Sequence, residues 1–84
     1  MKPVTMYTTT MCPYCEAAKA LLKKRGVAYD EINVSRDPDN RQRLVELSGM
    51  ATFPQILIDG QPIGGFQELR EADSSGRLSA LLAD

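Results

Sequence analysis

Two cysteines three residues apart, Cys12 and Cys15, stand where an apolar β-forming run meets an amphipathic helical one, with Pro13-Tyr14 between them. Val4 to Thr8 is short and rich in β-formers and reads as a buried strand. Thr9-Thr10-Met11 reads as a turn. Pro13 fits the first helical position, where a backbone N–H would have no intrahelical partner. Ala17, Ala18, Leu21 and Leu22 then recur at helical spacing, and Gly26 stands where that helix should end. A strand that hands over to a helix through C-x-x-C puts Cys12 at the helix cap and Cys15 over Ala18 and Leu22. The first sulfur should stay reachable and the second should face the core. At this spacing the two can close a small disulfide ring.

The rest of the chain is punctuated as clearly. Val27 to Val34 is predicted to contain a second strand, with Ile32 and Val34 on one face. Asp37-Pro38 is a cap followed by a first-turn proline, and it opens a helix that should end at Gly49 and carry Leu44, Val45 and Ser48 inward. Gln55 to Ile58, Asp59-Gly60 and Gln61 to Ile63 make a hairpin with a type I′ turn. Pro62 places the last strand at the sheet edge. Gly64-Gly65 breaks the chain, and Phe66 to Ala72 opens a final helical segment. Ser74-Ser75-Gly76 interrupts that segment before Leu78, Leu81 and Leu82 resume an apolar face. The order is βαβαββα: an α/β fold with a central sheet, flanking helices, one crossover and one hairpin. Eighty-four residues make a single domain spanning 1–84.

Charge and composition narrow the chemistry. Ten basic and eleven acidic residues are dispersed and leave a net charge of −1, so nothing favours nucleic acid as a partner. No apolar stretch approaches the roughly 20 residues of a membrane span. Met1-Lys2-Pro3 leads straight into strand without the apolar region of a signal peptide, so the expectation is a cytoplasmic protein free of membranes; separately, it is expected to be a monomer. In that setting two cysteines point to redox or metal chemistry more than to structural cross-linking. The chain has no histidine, which removes imidazole catalysis and most zinc-ligand sets. Zinc wants about four ligands, so two thiols could serve only in a site shared between subunits; no metal is expected. A pair of inert buried cysteines remains the plain alternative to a redox pair. If Cys12 caps the helix, the N–H groups of Tyr14 and Cys15 and the helix dipole favour its thiolate, lowering its pKa from about 8.5 toward roughly 3.5–7.5. Cys12 is then the candidate nucleophile, and Cys15, more buried, the candidate resolving thiol.

Tyr7-Thr8, Cys12-Pro13-Tyr14-Cys15, Thr52-Phe53-Pro54 and Gly64-Gly65 occur in an order and spacing that resemble the glutaredoxins, small proteins of the thioredoxin-like fold. The resemblance covers essentially the full length and implies a four-stranded mixed sheet flanked by three or more helices. It also implies a glutathione-dependent thiol–disulfide oxidoreductase, with glutathione as co-substrate. Its partners would be disulfide-bearing or glutathionylated proteins such as ribonucleotide reductase. By this resemblance Tyr14 lines a glutathione groove. Thr52, Phe53 and Pro54 form its second side, with a cis peptide bond before the proline. Gly65, Phe66, Gln67 and Glu68 hold the γ-glutamyl end, and Arg41 meets the glycyl carboxylate. Two positions depart from the family pattern. Thr9 stands where many members carry a lysine that serves the glycyl end, and Phe53 stands where valine is usual. Two other readings accompany this one: a thioredoxin-like redoxin reduced by thioredoxin reductase, and a dimeric iron–sulfur carrier using Cys12 and glutathione.

Overall fold

The computed structural model describes residues 1–84. Strand β1 (Val4–Thr8) hands over through Thr9–Cys12 to helix α1 (Pro13–Lys24), and the chain returns in β2 (Asp30–Asn33). Helix α2 (Pro38–Ser48) follows, then β3 (Gln55–Ile58), β4 (Gln61–Gly64), α3 (Phe66–Ser74) and α4 (Arg77–Leu82). The sheet order is β2-β1-β3-β4, with β1 parallel to β2 and antiparallel to β3, and β3 antiparallel to β4. This is the thioredoxin-like α/β arrangement of a mixed four-stranded sheet. Pro62 lies on edge strand β4, where a missing donor breaks no ladder. Asp59 and Gly60 have φ of 53° and 78°, as a type I′ turn requires, and this turn closes the hairpin.

Alternation along the strands sorts the core into two parts. Val4 and Met6 of β1 and Ile56 and Ile58 of β3 join Ala18, Leu22, Leu69, Ala72, Leu78 and Leu82 of α1, α3 and α4 in one buried cluster. Tyr7 and Leu57 point the other way and meet Val34 and Leu44 in a second, smaller cluster against α2. Helix α2 begins as expected, with the Asp37 carboxylate accepting from the Asn40 N–H at 3.1 Å, and ends on Gly49 in the left-handed region.

One expectation fails here. Val45 does not face inward: it is 39% exposed, and Leu44 is the only buried residue of α2. Residues 44 and 48 share a stripe four apart, whereas residue 45 is turned about 100° from 44. On this side of the sheet Leu44 is the one residue of α2 that joins the buried cluster.

Candidate functional site

The sulfurs sit where the strand–helix junction puts them. Cys12 is the N-cap of α1 in extended conformation, and its Sγ accepts from the Cys15 N–H at 3.1 Å. Pro13 follows at the first helical position. The two cysteines are disulfide-bonded, with Cα atoms 5.2 Å apart. Cys12 is half-buried, whereas Cys15 is 1% exposed. A reactant from solvent therefore reaches the first sulfur and not the second. The loop before them is pinned from the side: Thr10 N–H donates to Ser35 Oγ at 2.7 Å, and Ser35 Oγ donates to Thr10 Oγ1 at 3.0 Å. Met11, between loop and cap, has φ of 57° and is 95% exposed.

Beside the pair lies an open cleft of about 410 Å³ lined by seven residues, six of them Tyr14, Phe53, Pro54, Phe66, Gln67 and Glu68. All six were singled out in the sequence. Tyr14 stacks on Phe66, with ring centroids 6.0 Å apart and planes inclined by 28°. The Phe53–Pro54 bond is cis. Gly65, the N-cap of α3, lies so close to the Pro54 carbonyl that a Cβ would stand 3.2 Å from it, and no side chain caps the N–H groups of this helix. Gly64 has φ of 117°, and a Cβ there would meet the Glu68 side chain at 2.8 Å. Glu68 thus curls back over the turn at the mouth of the cleft.

The remaining candidates lie around this cleft. Arg41 is not on its lining; its guanidinium lies over the Phe53 ring, 5.5 Å from the centroid. Thr52 supports the Phe53–Pro54 segment, its Oγ1 accepting from Gln55 Nε2 at 2.8 Å. Thr9 falls elsewhere, in a second cleft of about 540 Å³ with Cys12, Glu16 and Lys19. Lys19 Nζ pairs there with Glu16 at 3.1 Å and Glu31 at 2.8 Å, and Glu31 also accepts from the buried Thr8 hydroxyl at 2.7 Å. The Lys19 ammonium, and then the Thr8 hydroxyl, hold the Glu31 carboxyl below its ordinary pKa. The Lys19 amine is raised in turn, chiefly by Glu31.

Two residues at the site escaped the sequence reading. Gln55 is buried behind the cis bond and holds Thr52; no local pattern marks it. Arg70 lines the cleft and lies over Phe66 at 6.0 Å. Its i,i+4 spacing from Phe66 is a signal that could have found it.

The likeness to known proteins is as full in sequence as in shape. The family model described as Glutaredoxin matches residues 4–63. Glutaredoxin 3 of Escherichia coli (strain K12) is 43% identical over 82 residues, covering 98% of this chain and 99% of that protein. The solution structure of a glutaredoxin from Brucella melitensis superposes with a TM-score of 0.85 at 43% identity, over 98% of this chain and 89% of the other. A buckwheat glutaredoxin–glutathione complex superposes at 0.86 with 28% identity, over 96% and 76%. With one sulfur open to solvent, one buried and a full-length match behind both, Cys12 and Cys15 form a redox-active disulfide of a thiol–disulfide oxidoreductase, and the chain belongs to the glutaredoxin family.

Proposed function

We propose that this protein uses glutathione to reduce protein disulfides and glutathione mixed disulfides through Cys12 and Cys15. The observation that carries the reading is the cleft beside the open sulfur. Its aromatic walls, cis proline and uncapped helix N-terminus suit a short extended peptide thiol with a carboxylate at one end. The buckwheat relative of the same fold is described as a glutathione complex, which supports the same ligand here.

The Cys12 thiolate attacks one sulfur of a substrate disulfide and forms a mixed disulfide; the other substrate sulfur leaves and takes a proton. From there Cys15, one helical turn away, gives up its proton and attacks the Cys12 sulfur. That releases the second substrate thiol and forms the Cys12–Cys15 disulfide. Two glutathione thiols then reduce this bond and leave as glutathione disulfide. When the mixed disulfide is with glutathione itself, a free glutathione can resolve it without Cys15.

The deciding experiment exchanges the electron donor. The reading expects turnover of a mixed-disulfide substrate with glutathione, glutathione reductase and NADPH, and little with thioredoxin reductase and NADPH. The reverse pattern would establish the thioredoxin-reductase reading instead.

A further inference from the structure

Arg70 stands at the γ-glutamyl end of the proposed groove. It follows Phe66 by one helical turn on α3, lines the cleft, and lays its guanidinium over the Phe66 ring at 6.0 Å. Tyr14 stacks on the same ring. Arg70 has no carboxylate partner in the fold, since the chain's ion pairs involve the N-terminus, Lys19 and Arg25. Its charge is therefore free for a ligand, while the contact with Phe66 limits where the guanidinium can go. Glu68 supplies the opposite sign along the same cleft. One end of the groove thus presents an anion, a cation and uncapped helix N–H groups together. An α-ammonium beside an α-carboxylate matches that set.

We infer that Arg70 is a specificity-determining residue of the groove, pairing with the α-carboxylate of a γ-glutamyl thiol. This rests on the glutathione reading. A guanidinium forks onto a carboxylate with two parallel N–H donors, which an internal peptide segment cannot accept in the same way. Arg70 would thus favour ligands with a free carboxylate at this end and disfavour the unbroken chain of a protein substrate.

The test measures binding by calorimetry on a Cys12→Ser, Cys15→Ser background. One ligand is glutathione. The other is its analogue with 4-aminobutyryl in place of the γ-glutamyl residue, which keeps the ammonium and lacks the α-carboxylate. Arg70→Gln should weaken glutathione about two- to fivefold, the range of an exposed charge pair, and leave the analogue unchanged. Arg70→Lys should recover part of the loss, and the difference should shrink at high salt. Arg77→Gln, which removes one charge away from the cleft, should do nothing. Equal weakening of both ligands would overturn the assignment, because the arginine would then act only through the Phe66 stack. Unaltered glutathione binding in Arg70→Gln would overturn it as well. Failure of the background protein to bind glutathione at all would bring down the glutathione reading itself, and this assignment with it.

Discussion

The two faces of the sheet are covered unequally. Helices α1, α3 and α4 close one face over a large buried cluster, while α2 alone closes the other over four buried residues. The two aromatic walls of the cleft are rooted in these different cores: Phe66 packs against the larger and Phe53 against the smaller. Phe66 further has the Tyr14 ring and the Arg70 guanidinium against it. Phe53 has Arg41 over its ring, carried on a helix that buries only Leu44. Segments with few buried apolar contacts open locally at lower cost. The cleft therefore has one firm wall and one compliant wall. The firm wall belongs to the side that carries the cysteines, and the compliant one to the side that α2 closes.

The largest expected effect separates chemistry from both cores. Cys12→Ser should abolish exchange on every substrate, while the variant keeps the circular dichroism and melting behaviour of the reduced wild type. Cys15→Ser should still deglutathionylate small substrates and lose most reduction of protein disulfides. Equal losses in the two variants on both substrate types would mean that the open and buried sulfurs do not divide the work.

Next come paired truncations, one in each core. Leu69→Ala empties a fully buried site in the large cluster and should cost roughly 2–5 kcal/mol of global stability in a denaturant titration. Leu44→Ala removes the single anchor of α2. It should raise amide exchange throughout α2 and weaken ligand binding at the Phe53 wall, while the amides of α1 and α3 stay protected against that local opening. If Leu44→Ala raised exchange equally in all helices, the compliant wall would not exist as a separate unit.

A smaller effect tests the link between β2 and α1. The folded-state pKa of Glu31 is lowered, so its pairing stabilises the fold above the carboxyl's unfolded pKa, and this contribution is lost as pH falls through the folded value. Lys19 is raised and gives the mirror case: its contribution is present below its unfolded pKa and is lost as pH rises through the folded one. The side chains are 33% and 26% exposed, and screening by solvent holds the pair to roughly 1 kcal/mol or less. Glu31→Gln should therefore destabilise slightly at neutral pH, with the deficit vanishing in acid. A deficit that persists unchanged in acid would mean that packing, not charge, is what Glu31 supplies.

The smallest effect is a gain. Thr9→Lys adds a cation in the second cleft, which Cys12 also lines, and an exposed pair of this kind is worth roughly 0.2–1 kcal/mol. At about 1.4 kcal/mol per decade, glutathione should bind less than tenfold tighter on the double-serine background, and less so at high salt. Binding that ignores both the lysine and the salt would mean that the glycyl carboxylate is held elsewhere, with Arg41 the candidate, or that glutathione does not lie in this groove.

How much of this could be read in the sequence follows from the range of the interactions. The order of elements was legible because Pro13, Gly26, Pro38, Gly49 and Asp59-Gly60 punctuate it locally. The exposure of Cys12 and burial of Cys15 followed from the cap and from the spacing to Ala18 and Leu22. Val45 misled because sequence spacing shows an apolar face but not how wide a surface awaits it. The Lys19–Glu31–Thr8 cluster joins three elements, so no window of the chain contains it. The cis bond at Phe53–Pro54 came from family likeness, since the residues by themselves favour trans. The cleft's lining was largely anticipated through the same likeness; Arg70, at an ordinary helix position, was not.

The stack of Tyr14 on Phe66 also gives the molecule an optical handle. The chain has no tryptophan and three tyrosines. Tyr7 is buried and Tyr29 packs against the large cluster, whereas Tyr14 is 66% exposed and lies between the two redox cysteines in the sequence. A disulfide quenches the emission of a phenol beside it. Intrinsic ultraviolet fluorescence should thus brighten when the dithiol forms and change again when a ligand covers the Phe66 wall, so that oxidation state and occupancy could be followed without a dye.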